Sequence, residues 1–123
     1  MVYDAGVLVA ADRNERAVWA DHRVRLELGL LPLTTAPVVA QASRSPRQAQ
    51  LRRFLRGCAV EPFSAEQAHQ IGSLLSAADT SDVVDAHVVV TALTHRAGVL
   101  TSDPHDMRRL AAATNGDVSV LTL

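Results

Sequence analysis

The sequence predicts an α/β domain in which a central parallel sheet of five strands is covered by helices on both faces. Three observations carry this. Short β-like runs alternate with helical segments along the whole chain, and each helical segment is bounded by capping residues, proline or glycine. Strands separated by helices need crossover connections, which parallel pairing requires and which are right-handed. No repeat, linker or low-complexity segment interrupts the 123 residues, and 48% apolar residues are enough for one core, so residues 1–123 read as one domain.

Val2 and Tyr3 make the first strand, and Asp4 stands where a helical run over residues 5–11 begins. A second helix is expected over about 14–28, stopping near Gly29, and residues 33–35 form the second strand. Pro37 suits the first turn of a helix reaching about residue 43, and Pro46 opens another that ends at Gly57. Residues 58–63 are β-like. Ser64 and Gln67 form an S-x-x-Q capping box for a helix to about residue 78. The next helix starts after Ser81 or Asp82, passes through Val88, Ala92 and His95, and is ended by Gly98 before a strand at 99–101. Asp103-Pro104 caps a helix to about residue 114, and residues 118–121 close the sheet.

Every basic side chain is arginine, twelve in all, against thirteen acids, for a net charge of −1. The absence of lysine excludes P-loop and Schiff-base chemistry, and also a phospho-accepting, response-regulator-like domain, which needs a lysine near its acidic pocket. Cys58 is the only cysteine; it cannot form an intramolecular disulfide and reads as a small apolar filler. No secretory signal opens the chain, so a reducing cytoplasm is the expected location. Asp85, His87 and Arg96 interrupt the longest apolar stretches well before the roughly 20 residues of a membrane span.

The charges are segregated. Residues 44–56 carry Arg44, Arg47, Arg52, Arg53 and Arg56 with no acid, whereas residues 79–106 carry Asp79, Asp82, Asp85, Asp103 and Asp106 against Arg96 alone. In open parallel sheets, sites form outside the carboxyl ends of the strands where strand order reverses. Asp4 and Asp103 each end a strand, Asp82 and Asp85 begin the helix that leads to the strand before Asp103, and Asp106 lies one turn into the next helix. Each has a structural explanation alone: Asp4, Asp82 and Asp103 as N-caps, Asp85 and Asp106 as first-turn acids that suit the helix dipole. Convergence on one crevice would collect more charge than capping requires. A hard divalent cation, Mg²⁺ or Mn²⁺, resolves such repulsion with oxygen ligands, makes hydroxide available near neutral pH and offsets charge building on a phosphodiester.

Four segments carry a resemblance: Tyr3-Asp4-Ala5-Gly6-Val7-Leu8-Val9-Ala10, Pro37-Val38-Val39-Ala40-Gln41, Asp82-Val83-Val84-Asp85-Ala86-His87-Val88-Val89 and Leu100-Thr101-Ser102-Asp103-Pro104-His105-Asp106. In order and spacing they resemble the signature segments of the PIN domain and, more narrowly, VapC-type toxins of bacterial toxin–antitoxin pairs. The resemblance implies an endoribonuclease toxin that cleaves RNA phosphodiesters with a metal-activated water, is usually a homodimer, and is neutralised by a cognate VapB-type antitoxin. Carried over by position, Asp4, Asp85 and Asp103 are the implied catalytic and metal-binding acids, and Asp106 is a neighbouring ligand. Gln41, Asp82 and Thr101 are supporting residues. Two positions depart from the pattern: Gln41 replaces the usual glutamate, and Gly6 replaces a serine or threonine. A glutamine offers an oxygen but neither charge nor base. These departures motivate an alternative, a catalytically weak or inactive PIN-like protein that binds or titrates antitoxin.

Of the remaining residues, Arg52 and Arg56 share an exposed helix face where like charges repel. With Arg44 they are candidates for contact with RNA or antitoxin. Aromatic residues are 3% of the chain, so RNA would be gripped through backbone and shape rather than base stacking. The histidines show no metal-ligand spacing: His22, His69 and His95 read as surface or packing residues, His87 as packing, and His105 as a candidate for proton transfer or phosphate binding. Thr101 and Ser102 could hydrogen-bond a metal ligand or water. Trp19, Val18, Val24, Leu26 and Leu28 read mainly as core, with a dimer or antitoxin groove as the other use.

Overall fold

Strands β1 (Val2–Tyr3), β2 (Leu33–Thr35), β3 (Ala59–Glu61), β4 (Val99–Thr101) and β5 (Val120–Thr122) form a parallel sheet in the order β3-β2-β1-β4-β5. The computed structural model describes residues 1–123. Val2 lies opposite Leu33 on one side and Val99 on the other, which places β1 at the centre. The helices are α1 (Ala5–Asp12), α2 (Arg16–Glu27), α3 (Ala36–Ala42), α4 (Ala49–Leu55), α5 (Ala68–Ala78), α6 (Val83–Thr94) and α7 (Pro104–Ala112). From β1 the sheet grows in two directions, and right-handed crossovers then put the helices of the two halves on opposite faces. Accordingly α2, α3 and α4 pack on α1, whereas α5 and α7 pack on α6.

The two inner helices explain the core. In α6 every residue from Ala86 to Ala92 is buried, and α1 buries Val7, Leu8, Ala10 and Ala11. Apolar residues all round a helix mark one enclosed on several sides. The central strands are likewise buried on both faces, as a covered parallel sheet demands, and their buried threonines, Thr34, Thr35 and Thr101, are satisfied. Thr34 Oγ1 donates to the Tyr3 carbonyl at 2.9 Å, and Thr35 Oγ1 caps α3 by accepting the Val38 N–H at 3.2 Å.

Several boundaries differ from the sequence expectation for local reasons. Asn14 adopts a left-handed backbone with φ 59°, which separates α1 from α2, so α2 starts at Arg16. Pro46 does not open α4. Gln48 clamps the preceding turn instead: its Oε1 accepts the N–H groups of Arg44 at 2.7 Å and Ser45 at 3.1 Å, while its Nε2 donates to the Ala42 carbonyl at 2.9 Å and Asp12 Oδ2 at 3.1 Å. Gln67 Oε1 accepts the Ser64 N–H at 3.1 Å as the box implies, but the turn it opens, Ala65–Gln67, is 3₁₀ before α5 begins. The last strand starts two residues later and ends one later, at Val120–Thr122, where it pairs with Val99–Thr101. Val24, Leu26 and Leu28 are exposed rather than core, because α2 buries only the narrow stripe of Val18 and His22.

Beneath that stripe lies an aromatic cluster. The His22 ring stacks on Phe54 with centroids 4.0 Å apart, and its Nδ1 is 3.1 Å from the Tyr3 hydroxyl. Trp19 meets Phe54 edge-on, donates from Nε1 to the Ala11 carbonyl at 3.0 Å and carries the Arg53 guanidinium 4.5 Å above its ring. Burial lowers the His22 pKa from its ordinary value. A Cβ at Gly57 would come within 2.7 Å of His22 Nε2, so Gly57→Ala is expected to destabilise by about 1–3 kcal/mol through overpacking. A thermal melt checks it, and an unchanged Tm would mean that the ring yields freely.

Candidate active site

Chain order reverses between β1 and β4: the strands after β1 run to one edge, and β5 follows β4 to the other. The crevice at the carboxyl ends of these two strands is the position that doubly wound sheets use for ligands. Asp4 follows β1 directly, and Ser102 and Asp103 follow β4. Helix α6 feeds β4 and so runs back along the sheet, which brings its first turn, with Asp82 and Asp85, to the same end.

Asp4 is held firmly. It is 8% exposed; Oδ1 accepts the Ala5 N–H at 2.7 Å, capping α1, and Oδ2 accepts the buried Thr101 hydroxyl at 2.7 Å. Thr101 Oγ1 also accepts the Asp103 N–H at 3.0 Å, so one hydroxyl ties the ends of β1 and β4 together. Asp82 caps α6, its Oδ1 accepting the Asp85 N–H at 3.0 Å. Asp85 is half-buried, and its pKa is pushed up to about 7, first by burial, then by the charges of Asp4 and Asp82, a hydrogen bond with Asp82, and the charge of Asp106.

Three of the predicted acids, Asp4, Asp82 and Asp106, therefore act on a fourth, Asp85, and no arginine offsets the field there. Asp103 stands apart: it is exposed, occupies the N-cap position of α7 without a capping bond, and does not figure among the charges acting on Asp85. The expectation that its side chain caps α7 is corrected. Thr101 holds the Asp103 backbone N–H, and the residue's φ and ψ, −124° and 78°, lie outside the extended geometry of Asp4 and Asp82. Asp79 also lies elsewhere, ending α5 in a left-handed conformation beside Arg109. As the side chains stand, no three carboxylates converge on one point at ligand distance, in keeping with their mutual repulsion. The donor set itself fits a hard divalent ion: all oxygen, mostly carboxylate, with no cationic side chain compensating it.

Gln41 is exposed in the last turn of α3 and makes no side-chain hydrogen bond to the acids. His105 is exposed and likewise unbonded. His87 is fully buried, meets Phe63 edge-on at 4.9 Å, and burial lowers its pKa, in line with packing. Arg44, Arg52 and Arg56 are all exposed and none pairs with an acid, but Arg52 is committed to its own turn, donating from Nη1 to the Pro46 carbonyl at 2.6 Å. The sequence reading missed two structural features of this region. One is the clamp by Gln48, which carries no motif; the other is the contact of Ser102 with Gly6, signalled only by a glycine among the alanines, valines and leucine of α1. A Cβ at Gly6 would overlap Ser102 Oγ, so restoring a serine at position 6 is blocked while Ser102 is present.

Comparison with known proteins bears on this geometry. The family model described as PIN domain matches residues 1–113. The chain is similar in structure to VapBC2 from Rickettsia felis, bound to a DNA fragment from the promoter, with 16% identity, a TM-score of 0.76, and coverage of 100% of this chain and 99% of that one. It is similar to PAE2754 from Pyrobaculum aerophilum at 17% identity and TM-score 0.61, covering 96% and 87%, and to FitAB bound to the IR36 DNA fragment at 17% and 0.63, covering 99% and 94%. A comparison with curated proteins finds no match.

Proposed function

Because the chain belongs to the PIN domain family, we propose that it is a metal-dependent endoribonuclease acting as the toxin of a toxin–antitoxin pair in the cytoplasm. The observation that carries this reading is the group of carboxylates at the reversal of strand order, where burial and then the neighbouring acids push Asp85 up to about 7 with no cationic side chain to offset them. Asp4, Asp85, Asp103 and Asp106 would hold Mg²⁺ or Mn²⁺, with Asp103 turning inward, and Asp82, Thr101 and Gln41 would support them. When bound, the ion supplies Lewis acidity, making hydroxide available near neutral pH and offsetting charge on the scissile phosphodiester.

The chain's own contributions are separable from that. Thr101 fixes the Asp4 carboxylate, and Asp82 orders the first turn of α6 that presents Asp85. Arg44 and Arg56, exposed and without acidic partners, supply contacts for RNA phosphate or for the antitoxin; Arg52, with Nη1 on the Pro46 carbonyl, has its remaining N–H groups for the same use. A cognate antitoxin of the VapB type and a homodimer are part of the proposal, supported by the similarity to VapBC2 and FitAB. No helix of the chain is long and apolar enough to cross a membrane.

The test is a calorimetric titration with Mn²⁺ beside an RNA cleavage assay with and without EDTA, on the native protein and Asp4→Asn. Asparagine keeps the oxygen that caps α1 and removes the charge. Mn²⁺ affinity is expected to fall by at least the roughly 10–100-fold that loss of an outer partner costs, and cleavage is expected to stop. Cleavage that survives EDTA would sink the reading. Native protein that neither binds Mn²⁺ nor cuts RNA, yet binds antitoxin, would favour the titrating protein that Gln41 suggests.

A further inference from the structure

Gly6 is the second residue of α1, where glycine is a poorer helix former than alanine. Its backbone gives no reason for glycine, since Gly29 alone among the glycines has positive φ. The reason is space. A Cβ on Gly6 would overlap Ser102 Oγ and lie 2.8 Å from Ser102 Cβ, so the first turn of α1 is kept bare to let the Ser102 side chain in. Yet Ser102 is exposed, and its hydroxyl makes no hydrogen bond within the chain. The end of β4 does not need it, because Thr101 Oγ1 already bonds both Asp4 Oδ2 and the Asp103 N–H. A free hydroxyl, carried by the residue after Thr101, thus lies against the residue two after Asp4, at the cost of a helix-weakening glycine.

We infer that Ser102 and Gly6 act as one position of the active site, with Ser102 a positioning residue whose hydroxyl would support the divalent cation that Asp4 would hold. The inference rests on the metal-dependent reading above. It also changes what Gly6 means: the hydroxyl is delivered from the end of β4 rather than from α1, and the glycine is its complement rather than a loss.

Four variants test it: Ser102→Ala, Ser102→Thr, the exchange Gly6→Ser with Ser102→Gly, and Asp4→Asn as the control for the ion. Mn²⁺ affinity by calorimetry is the deciding readout, with Tm measured alongside. Ser102→Ala is expected to lower Mn²⁺ affinity about tenfold, the worth of one good hydrogen bond, with Tm unchanged. Ser102→Thr, which keeps the hydroxyl, is expected to bind within about threefold of native. The exchange, which moves the hydroxyl to α1 and frees its space, is expected to bind more tightly than Ser102→Ala. Native affinity in Ser102→Ala, while Asp4→Asn loses binding, overturns the inference and leaves the metal reading standing. Native protein that does not bind Mn²⁺ overturns both.

Discussion

Replacing Asp85 by asparagine is expected to stop RNA cleavage while making the metal-free protein more stable at pH 8. The loss of activity follows from removing a proposed ligand carboxylate and should reach at least about 1,000-fold, or roughly 4 kcal/mol of barrier. The gain in stability follows from the pKa. Asp85 is pushed from 3.8 up to about 7 in the folded chain, so folding favours its protonated form. Below about pH 4 both folded and unfolded chains carry the proton and the group is neutral to stability. Between about 4 and 7 the unfolded chain ionises first, so stability falls as pH rises, and above about 7 the whole penalty is present. Because Asp85 is only half-buried, solvent screening reduces the full linkage value to about 1–2 kcal/mol. Urea melts in EDTA at pH 5 and pH 8 check this: the native protein should lose stability between them, and Asp85→Asn should lose less. The Asp85 N–H that donates to Asp82 belongs to the backbone, so the cap of α6 survives the change. Saturating Mn²⁺ should reverse the order at pH 8, since a ligand at 100 times its Kd stabilises by about 2.7 kcal/mol. Equal melts for the two proteins at pH 8 without metal would mean that Asp85 is not under strain from its neighbours.

Thr101→Val should damage the site without touching an acid. The substitution keeps the shape of a side chain that is fully buried, and removes the hydroxyl that donates to Asp4 Oδ2 and accepts the Asp103 N–H. Two polar groups lose their partner at the junction of β1 and β4, at a cost of about 1–3 kcal/mol in stability. Asp4 keeps its bond to the Ala5 N–H and so stays at the crevice, but it loses the second tether that fixes its orientation. Metal affinity and cleavage should therefore fall about 10–100-fold, as for other outer partners of metal ligands. Thr101→Ser restores the hydroxyl and should recover most of both. If Thr101→Val is less stable but cleaves RNA at the native rate, the hydroxyl serves the sheet alone.

These two residues mark how far the site was legible. Asp85 and Asp4 could be found from position, because an acid at a strand end or in a first helical turn is visible in the pattern of elements. Thr101 was visible only as a polar strand end; its link to a residue 97 positions earlier depends on β1 and β4 being neighbours. Asp103 shows the opposite limit. Asp103-Pro104 reads as a capping pair, and the chain places the residue at the N-cap, yet its side chain makes no cap bond, because its φ and ψ lie outside the extended geometry of the other aspartate caps. Val24, Leu26 and Leu28 read as core because they are apolar on a helix, and they are exposed because α2 buries a stripe of only two residues.

By itself the sequence determined what local physics and composition decide. These are the alternation that requires a parallel sheet, the start of α1 at Asp4 and of α6 at Asp82, the segregation of acids from arginines, and the absence of any amine for lysine chemistry. Only the tertiary structure decided which acids share a field and which stands apart, that Arg52 is held by Pro46, and that Gly6 is a space for Ser102. The difference has one cause. Caps and periodicity act within a few residues of chain, whereas electrostatic coupling and excluded volume depend on distances set by the order in which strands lie side by side.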